Sequence, residues 1–376
     1  MTFTITPTGL VHFGEGALRE LPGAVAATGR TRAFVVTDPG IGAAGILDRV
    51  LALLPGAGVF AEVEPNPSTT TIAAAAGAAT AFGDAAIVAL GGGSSLDAAK
   101  AVALAAANPG VEVAALDYRA PGLNAGLPIV AVPTTAGTGA ETNGFGVIED
   151  PAAACKIYLG NGTTQPVTSI LDPELTTGLP PRATAATGVD ALVHGIESLT
   201  ARGRNPVSEA YAHHAVRLVH RRLPDAVKDG ADLEARGNLL LGSHLAGRAL
   251  SISGLGLVHG IAHAVTARTG APHGLALASV LGAVLEFNLP ACAEQYADIA
   301  LDLGLGRADG RAMVEEVREF VARVGARTTL AELGCTPDMA AGLAAVALAD
   351  PVTANTPRLP GEDELRDLIV GAMEGS

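Results

Sequence analysis

Two pairs of potential metal-binding side chains occur four residues apart in the second half of the chain. Asp190 and His194 form the first pair, His259 and His263 form the second, and His273 follows. Residues at i and i+4 leave the same face of a helix. One such pair is more often an ion pair or a core histidine, but two pairs and a fifth candidate in apolar surroundings predict a divalent-cation site. Oxygen and nitrogen ligands suit Fe(II), with Zn(II) as the alternative.

A glycine-rich segment in the first half has the pattern of a phosphate-binding loop. Gly91, Gly92 and Gly93, with Ser94 and Ser95, follow the apolar run AAIVAL and open a helical pattern. Glycines allow the backbone to approach a phosphate closely, and a helix N-terminus offers free N–H groups and a positive dipole end. A plain turn between a strand and a helix has similar glycines, but the strand–loop–helix context favours the phosphate interpretation.

Two further segments follow predicted strands. Asp38 comes after AFVVT, where a carboxylate can accept from the adenosine ribose and repel a 2′-phosphate, although Asp before Pro-Gly is also an ordinary turn residue. The segment PTTAGTGAE at 133–141 follows PIVAV and offers small hydroxyl donors. Both positions suit contacts to a dinucleotide.

The elements that position these residues differ between the two halves. Short apolar runs that end in turn residues predict buried strands, and longer Ala-rich patterns between them predict helices. Alternation of this kind implies a mainly parallel sheet covered by helices. After Pro180 the pattern is almost wholly helical, so we predict an α/β dinucleotide-binding domain over 1–178 and an all-α metal-binding and catalytic domain over 179–376. The predicted strands are 33–37, 59–63, 85–90, 128–132 and 168–171, with helices near 42–53, 69–82 and 95–107. The predicted helices of the second half are 182–201, 206–222, 232–250, 256–268, 274–288, 293–303, 308–325 and 362–373.

The composition limits the classes of partner. The 376 residues include 49% hydrophobic residues and carry a formal net charge of −14. Nucleic acids and anionic membranes require a basic face, so neither is an expected partner. The most apolar stretch, 239–265, contains histidines and an arginine and is predicted to be buried helix. Three widely spaced cysteines indicate a reducing, cytoplasmic compartment, and a homodimer is the default assembly.

The chain resembles the iron-containing (group III) alcohol dehydrogenases, which are similar in fold to dehydroquinate synthases, over nearly its full length. The segments that carry the resemblance occur in the family's order and spacing. They are TDPG at 37–40, EPNP at 64–67, GGGSSLDAAK at 91–100, PTTAGTGAE at 133–141, LPPRATAATGVDALVHGIES at 179–198, and HGIAHAV with PHG within 259–274. One departure is Ala140, which stands where the family has Ser before Glu141.

The resemblance implies roles for particular residues. It implies metal ligation by four residues and makes His263 the non-ligand active-site histidine, which we expect to act in proton transfer. It implies NAD(H) as the cofactor and places two residues, Phe145 and Val147, in the nicotinamide and substrate pocket. The implied ligands are Asp190, His194, His259 and His273, and the implied cofactor contacts are Asp38, Gly92, Gly93, Ser94, Asp97, Thr134, Thr135, Thr138 and Lys156.

The expected activity is hydride transfer between NAD(H) and a small primary alcohol or aldehyde, with or without an anionic group. A maleylacetate-reductase-like enzyme is the alternative, although its relatives usually lack the full metal set. A lyase of the dehydroquinate synthase type would need a pocket rich in Lys and Arg, which the His-bearing segments do not supply. A non-enzymatic binding protein would have damaged ligand positions, and all four are intact here.

Overall fold

The computed structural model describes residues 9–117, 119–152 and 155–375, together with Phe3 and Ile5. The described residues form two compact units, one that ends at Gly178 and one that begins at Leu179 and also includes Phe3 and Ile5. The strands of the first unit are β1 (Leu10–Phe13), β2 (Ala33–Val36), β3 (Gly58–Phe60), β4 (Ala86–Gly91), β5 (Ile129–Pro133), β6 (Phe145–Asp150), β7 (Cys155–Gly160) and β8 (Thr168–Leu171). Its helices are α1 (Leu21–Ala27), α2 (Pro39–Ala43), α3 (Ile46–Leu53), α4 (Thr69–Phe82) and α5 (Gly93–Ala107).

The first unit is built on a six-stranded sheet in the order β1-β8-β5-β4-β2-β3. Every pair of neighbouring strands is parallel, which confirms the predicted fold class. Strand β4 shows why these strands have continuous apolar sequences. Ile87 and Ala89 pack with α4 and α5 on one face, whereas Val88 and Leu90 pack with α1 and α3 on the other. Since helices cover both faces, both sets of side chains are buried.

A separate antiparallel hairpin, β6 paired with β7, was not predicted. Its strands mix Gly, Asp, Glu and Lys with apolar residues and are only partly buried, so they lack the short apolar run that marks a core strand. In β6, Phe145 and Val147 lie on the same face because side chains alternate along a strand. The edge strand β1 and the helices α1 and α12 were also missed.

The second unit consists of α6 (Pro181–Thr200), α7 (Pro206–Lys228), α8 (Leu233–Ser253), α9 (Leu257–Thr269), α10 (His273–Asp302), α11 (Gly310–Arg323), α12 (Ala340–Ala349) and α13 (Glu362–Glu374). Two of the predicted helices, 274–288 and 293–303, form one run that is broken at Cys292, where φ is −126° and ψ is 19°. Pro290, two residues earlier, lacks a backbone N–H and crowds the preceding turn, which weakens the helix next to this break.

One described helix, α10, is long and apolar enough to span a membrane by length and composition alone. A second segment passes this test only if α8 and α9 are counted together, and those helices are bent by 103°. Of the apolar window in α10, 56% is buried inside the protein, and a mostly buried core helix of a soluble protein passes the same test.

Candidate metal centre and phosphate-binding loop

The five predicted metal-site residues come together in the helical unit. Helix α6 carries Asp190 and His194, α9 carries His259 and His263, and His273 begins α10. Three imidazole Nε2 atoms surround one carboxylate oxygen, Asp190 Oδ1, at 3.3 Å for His194, 3.5 Å for His259 and 3.9 Å for His273. Potential ligand atoms of Asp190, His259 and His273 all lie within 4.8 Å of one another.

The four imidazole rings form two stacked pairs. His194 lies nearly parallel to His259, with ring centroids 4.7 Å apart and an interplanar angle of 13°. His263 stacks on His273 at 5.5 Å and 20°. His263 also meets His259 edge to face at 5.9 Å, so it adjoins the cluster without joining the three groups around Asp190 Oδ1.

The polar atoms at the centre of this cluster fit a cation. Asp190 Oδ1 and His259 Nε2 are buried without hydrogen-bond partners among the described residues, although such atoms are costly to bury unpaired. Burial disfavours the charged form of Asp190, but the neighbouring histidines outweigh it and hold its pKa below the ordinary value. Burial also opposes protonation of His259, yet Glu197 and Asp190 raise its pKa to about 9. A cation would compete with protons for these same atoms.

Two carboxylates that we did not predict hold histidines of the cluster. Glu197 Oε2 lies 2.6 Å from His259 Nδ1, and Asp350 Oδ2 lies 2.8 Å from His263 Nδ1. Glu197 continues the α6 face of Asp190 and His194 at i+7, a spacing that could have identified it. Asp350 follows α12, which was itself missed, and has no such local signal.

The glycine loop lies where β4 ends and α5 begins. Gly91 has a φ of 138°, which favours glycine, and Gly92 is the helix N-cap without a side-chain capping bond. The loop after β5 packs over it: a Cβ on Gly93 would lie 2.5 Å from Thr138 Cγ2, and one on Gly92 would lie 3.3 Å from Thr135 Cγ2. The amides of the first helical turn therefore have the arrangement expected of an anion-binding loop.

The remaining predicted cofactor residues occupy the same α/β unit. Thr134 is buried beside the loop, where its backbone N–H donates to the Gly91 carbonyl at 2.9 Å, and Ser94 is half-buried in the first turn of α5. Asp38 caps α2 by accepting from the Ile41 N–H at 3.2 Å. Its other oxygen accepts from the Ser95 hydroxyl at 2.8 Å, which ties it to the glycine loop.

Asp97 and a lysine that was not predicted join α5 to the hairpin. Asp97 Oδ2 accepts from the Val147 N–H at 3.1 Å, and Oδ1 accepts from Lys100 Nζ at 3.2 Å. Lys100 is fully buried and also donates to Asn143 Oδ1 at 2.9 Å and to the Phe145 carbonyl at 2.7 Å. Burial lowers the pKa of Lys100, while Asp97 and Glu141 partly offset that effect. These contacts position the half-buried Phe145 and Val147.

Lys156 lies on β7 opposite Glu149, and its Nζ donates to Asn66 Oδ1 at 3.1 Å. Asn66, in the EPNP segment, has a φ of 54° and is the only non-glycine residue in the described ranges with positive φ. The structure therefore links Lys156 to a second of the segments that carry the family resemblance.

A dinucleotide-type α/β unit with a histidine-rich helical unit defines a class of NAD-linked oxidoreductases, and comparisons identify the family. Residues 7–173 match the family described as iron-containing alcohol dehydrogenase, and residues 184–373 match the C-terminal part of the Fe-containing alcohol dehydrogenase family. The chain belongs to the iron-containing alcohol dehydrogenases. It is an oxidoreductase of the NAD-dependent alcohol dehydrogenase and aldehyde reductase type, as the sequence predicted.

Individual relatives cover the whole chain. The chain is 38% identical to a probable alcohol dehydrogenase, EutG, of Salmonella typhimurium over 99% of its own length and 94% of that protein. It superposes with a TM-score of 0.93 on a 1,3-propanediol oxidoreductase at 32% identity, covering 99% of this chain and all of that one. A sulfoacetaldehyde reductase from Bifidobacterium kashiwanohense in complex with NAD+ gives a TM-score of 0.92 at 29% identity, with both chains fully covered.

Proposed function

We propose that Asp190, His194, His259 and His273 hold one divalent cation, with Fe(II) the first choice and Zn(II) the alternative. The observation that carries this proposal is the convergence of three imidazole Nε2 atoms on the buried Asp190 Oδ1. Without a cation, that oxygen and His259 Nε2 are buried without hydrogen-bond partners among the described residues. One carboxylate and three imidazoles form a donor set that suits either metal.

When bound, the cation supplies Lewis-acid polarisation of the substrate oxygen. The α/β unit, which ends at Gly178, binds NAD(H), and the helical unit that follows is the metal-binding and catalytic domain. His263, with its Nδ1 held by Asp350, carries a proton between the substrate oxygen and solvent. The proposed cofactor contacts are Asp38, Gly92, Gly93, Ser94, Asp97, Thr134, Thr135, Thr138 and Lys156.

The proposed substrate is a small primary alcohol or aldehyde, with or without an anionic group, in a pocket that includes Phe145 and Val147. The names of two similar proteins support both a neutral and an anionic substrate, since one acts on 1,3-propanediol and the other on sulfoacetaldehyde. A panel of neutral and anionic aldehydes, followed by NADH absorbance, tests it. Turnover of neutral aldehydes alone would remove the anionic group from the proposal.

The metal proposal is tested by His259→Ala, with His214→Ala as the matched control. His214 is exposed on α7 and has no part in the proposed site. We expect His259→Ala to lose both bound metal, by elemental analysis, and NADH-dependent aldehyde reduction. His214→Ala should keep both. Full metal content in His259→Ala would refute this ligand assignment.

We further propose a cytoplasmic homodimer. The three cysteines are free thiols, as expected in a reducing compartment. Strand β1 lies at the edge of the sheet and exposes Leu10, Val11 and Phe13, which are 59%, 36% and 49% exposed. An apolar edge of this kind is a template for pairing with another chain. Sedimentation velocity tests the assembly, and a monomer at micromolar concentration would contradict it.

A further inference from the structure

The carboxylate of Glu197 is buried against His259, on the side of the imidazole ring that faces away from Asp190. Glu197 is 6% exposed and lies one helical turn after His194 on α6. Its Oε2 is 2.6 Å from His259 Nδ1, and its Oε1 accepts from the Val258 N–H at 2.8 Å. Each carboxylate oxygen is thus matched to one donor of α9.

This contact determines which nitrogen of His259 faces Asp190. A carboxylate only accepts hydrogen bonds, so Nδ1 of His259 must carry a proton toward Glu197. The opposite nitrogen, Nε2, then presents its lone pair in the neutral ring, and it is this atom that lies 3.5 Å from Asp190 Oδ1. A fixed ring and tautomer are what a metal-binding histidine requires of its outer partner.

The space around Glu197 allows the carboxylate little movement. A Cβ on Gly256, the residue at the N-cap of α9, would come within 3.0 Å of Glu197 Oε1. The N-terminus of α9 and the carboxylate therefore pack directly against each other, which holds the Glu197–His259 contact in one geometry.

We propose that Glu197 is a positioning residue for the metal, acting through His259 to raise metal affinity. This inference rests on the metal site proposed above. Outer partners of metal-binding histidines typically contribute roughly 10–100-fold to affinity. Glu197→Gln should therefore weaken metal binding by this factor while the four proposed ligands remain.

Glutamine is the informative replacement because it has nearly the same shape. It offers one acceptor oxygen and one NH2 donor where two donors of α9 require two acceptors. If the NH2 faces His259, the ring must accept at Nδ1 and carry its proton on Nε2, the nitrogen that faces Asp190. If the NH2 faces Val258 instead, that backbone N–H loses its acceptor.

Glu316→Gln is the matched control. Glu316 Oε1 lies 2.8 Å from His220 Nε2. This variant therefore changes another glutamate–histidine pair in the same unit, and neither residue belongs to the proposed metal site. The dissociation constant for Zn²⁺ is measured on metal-stripped full-length proteins by competition with a chromophoric chelator. Circular dichroism establishes that each apo-protein is folded.

We expect the Zn²⁺ dissociation constant to rise roughly 10–100-fold in Glu197→Gln and to stay unchanged in Glu316→Gln. Equal affinity in the wild type and Glu197→Gln would overturn the role of Glu197 while leaving the metal site intact. If the wild type binds neither Zn²⁺ nor Fe²⁺, the proposed metal site itself is refuted.

Glu197→Asp serves if the glutamine variant does not fold. It keeps the charge but is one methylene shorter, so it cannot hold both donors in their present positions. We expect Zn²⁺ affinity between those of the wild type and the 10–100-fold loss. A folded Glu197→Asp with wild-type affinity would count against the proposal.

Discussion

His263 Nδ1 lies 2.8 Å from the Oδ2 atom of Asp350, 87 residues further along the chain. The two side chains are 11% and 12% exposed, so the pair is largely shielded from solvent. Asp350 is itself held in place, because its Oδ1 accepts from the Val352 N–H at 3.0 Å. The contact fixes the direction of the imidazole beside the proposed metal site, as the proton transfer proposed for His263 requires.

His263→Ala should therefore impair the reaction without removing the metal. General acid–base assistance is typically worth roughly 10²–10⁴ in rate, and we expect turnover to fall within that range. Steady-state kinetics and elemental analysis on the same preparation measure the two quantities. His220→Ala, which removes a histidine paired with Glu316, is the control for loss of a partly buried imidazole.

Two outcomes would contradict this role for His263. Unchanged turnover in His263→Ala would show that solvent or a ribose hydroxyl of the cofactor carries the proton. Loss of metal would move His263 into the ligand set and reopen the assignment of the other four residues.

Cofactor choice is expected to depend on the charge of Asp38. Asp38→Asn keeps the side-chain shape and an acceptor for the cap of α2 but removes the charge that would repel a 2′-phosphate. If this repulsion is worth about 1 kcal/mol, its loss in Asp38→Asn should narrow the preference for NADH over NADPH by roughly fivefold. The ratio of kcat/KM with NADH to kcat/KM with NADPH measures the preference. Asp48→Asn, which changes an exposed aspartate, is the control. An unaltered enzyme that prefers NADPH would contradict the prediction.

The parts of this fold that the sequence predicted are those with local signals. Strands such as Ala86–Gly91 are uninterrupted apolar runs, and the metal-site pairs recur at helical spacing. Hairpin strand Phe145–Asp150 has no such run, since it is ordered by long-range bonds such as Val147 N–H to Asp97 Oδ2. Asp350 was missed for the same reason, because its partner His263 lies 87 residues away. Glu197 is different, since its partner lies 62 residues away but its own i+7 spacing from Asp190 was a local signal that we did not use.

The glycine loop makes a steric prediction. In Gly93→Ala the new Cβ would lie 2.5 Å from Thr138 Cγ2, so either the loop or the threonine must move. Overpacking of this kind typically costs about 1–3 kcal/mol of stability. Since the cost falls on the loop conformation that would bind the cofactor, we expect NADH binding to weaken by roughly 5–150-fold. Fluorescence titration with NADH measures the dissociation constant.

Gly77→Ala is the control for the loop variant. Gly77 lies within α4, and a Cβ there meets no atom within 4 Å, so the change should leave NADH affinity unaltered and stabilise the helix by about 0.5–1 kcal/mol. Equal NADH affinity in Gly93→Ala and the wild type would show that the loop tolerates a side chain and does not approach the cofactor closely.

His213 makes stability depend on pH through a contact between α7 and α10. Its Nδ1 bonds to Asp302 Oδ2, and Arg217 Nη1 donates to the other oxygen of Asp302 at 2.6 Å. The hydrogen bond to Asp302 raises the pKa of His213 above its ordinary value of 6.5, against the opposing effects of burial and Arg217. Protonation is therefore favoured in the folded state, and the resulting stabilisation is full below the unfolded pKa and lost as pH rises through the folded one.

His213→Ala should consequently lower the free energy of unfolding more at about pH 5.5 than at about pH 9. Urea unfolding at both pH values measures the difference, and His214→Ala, an exposed neighbour on the same helix, corrects for general loss of an imidazole. Because the His213 side chain is 30% exposed, solvent screening keeps the effect modest. An equal loss of stability at both pH values would show that His213 contributes by packing and not through its charge.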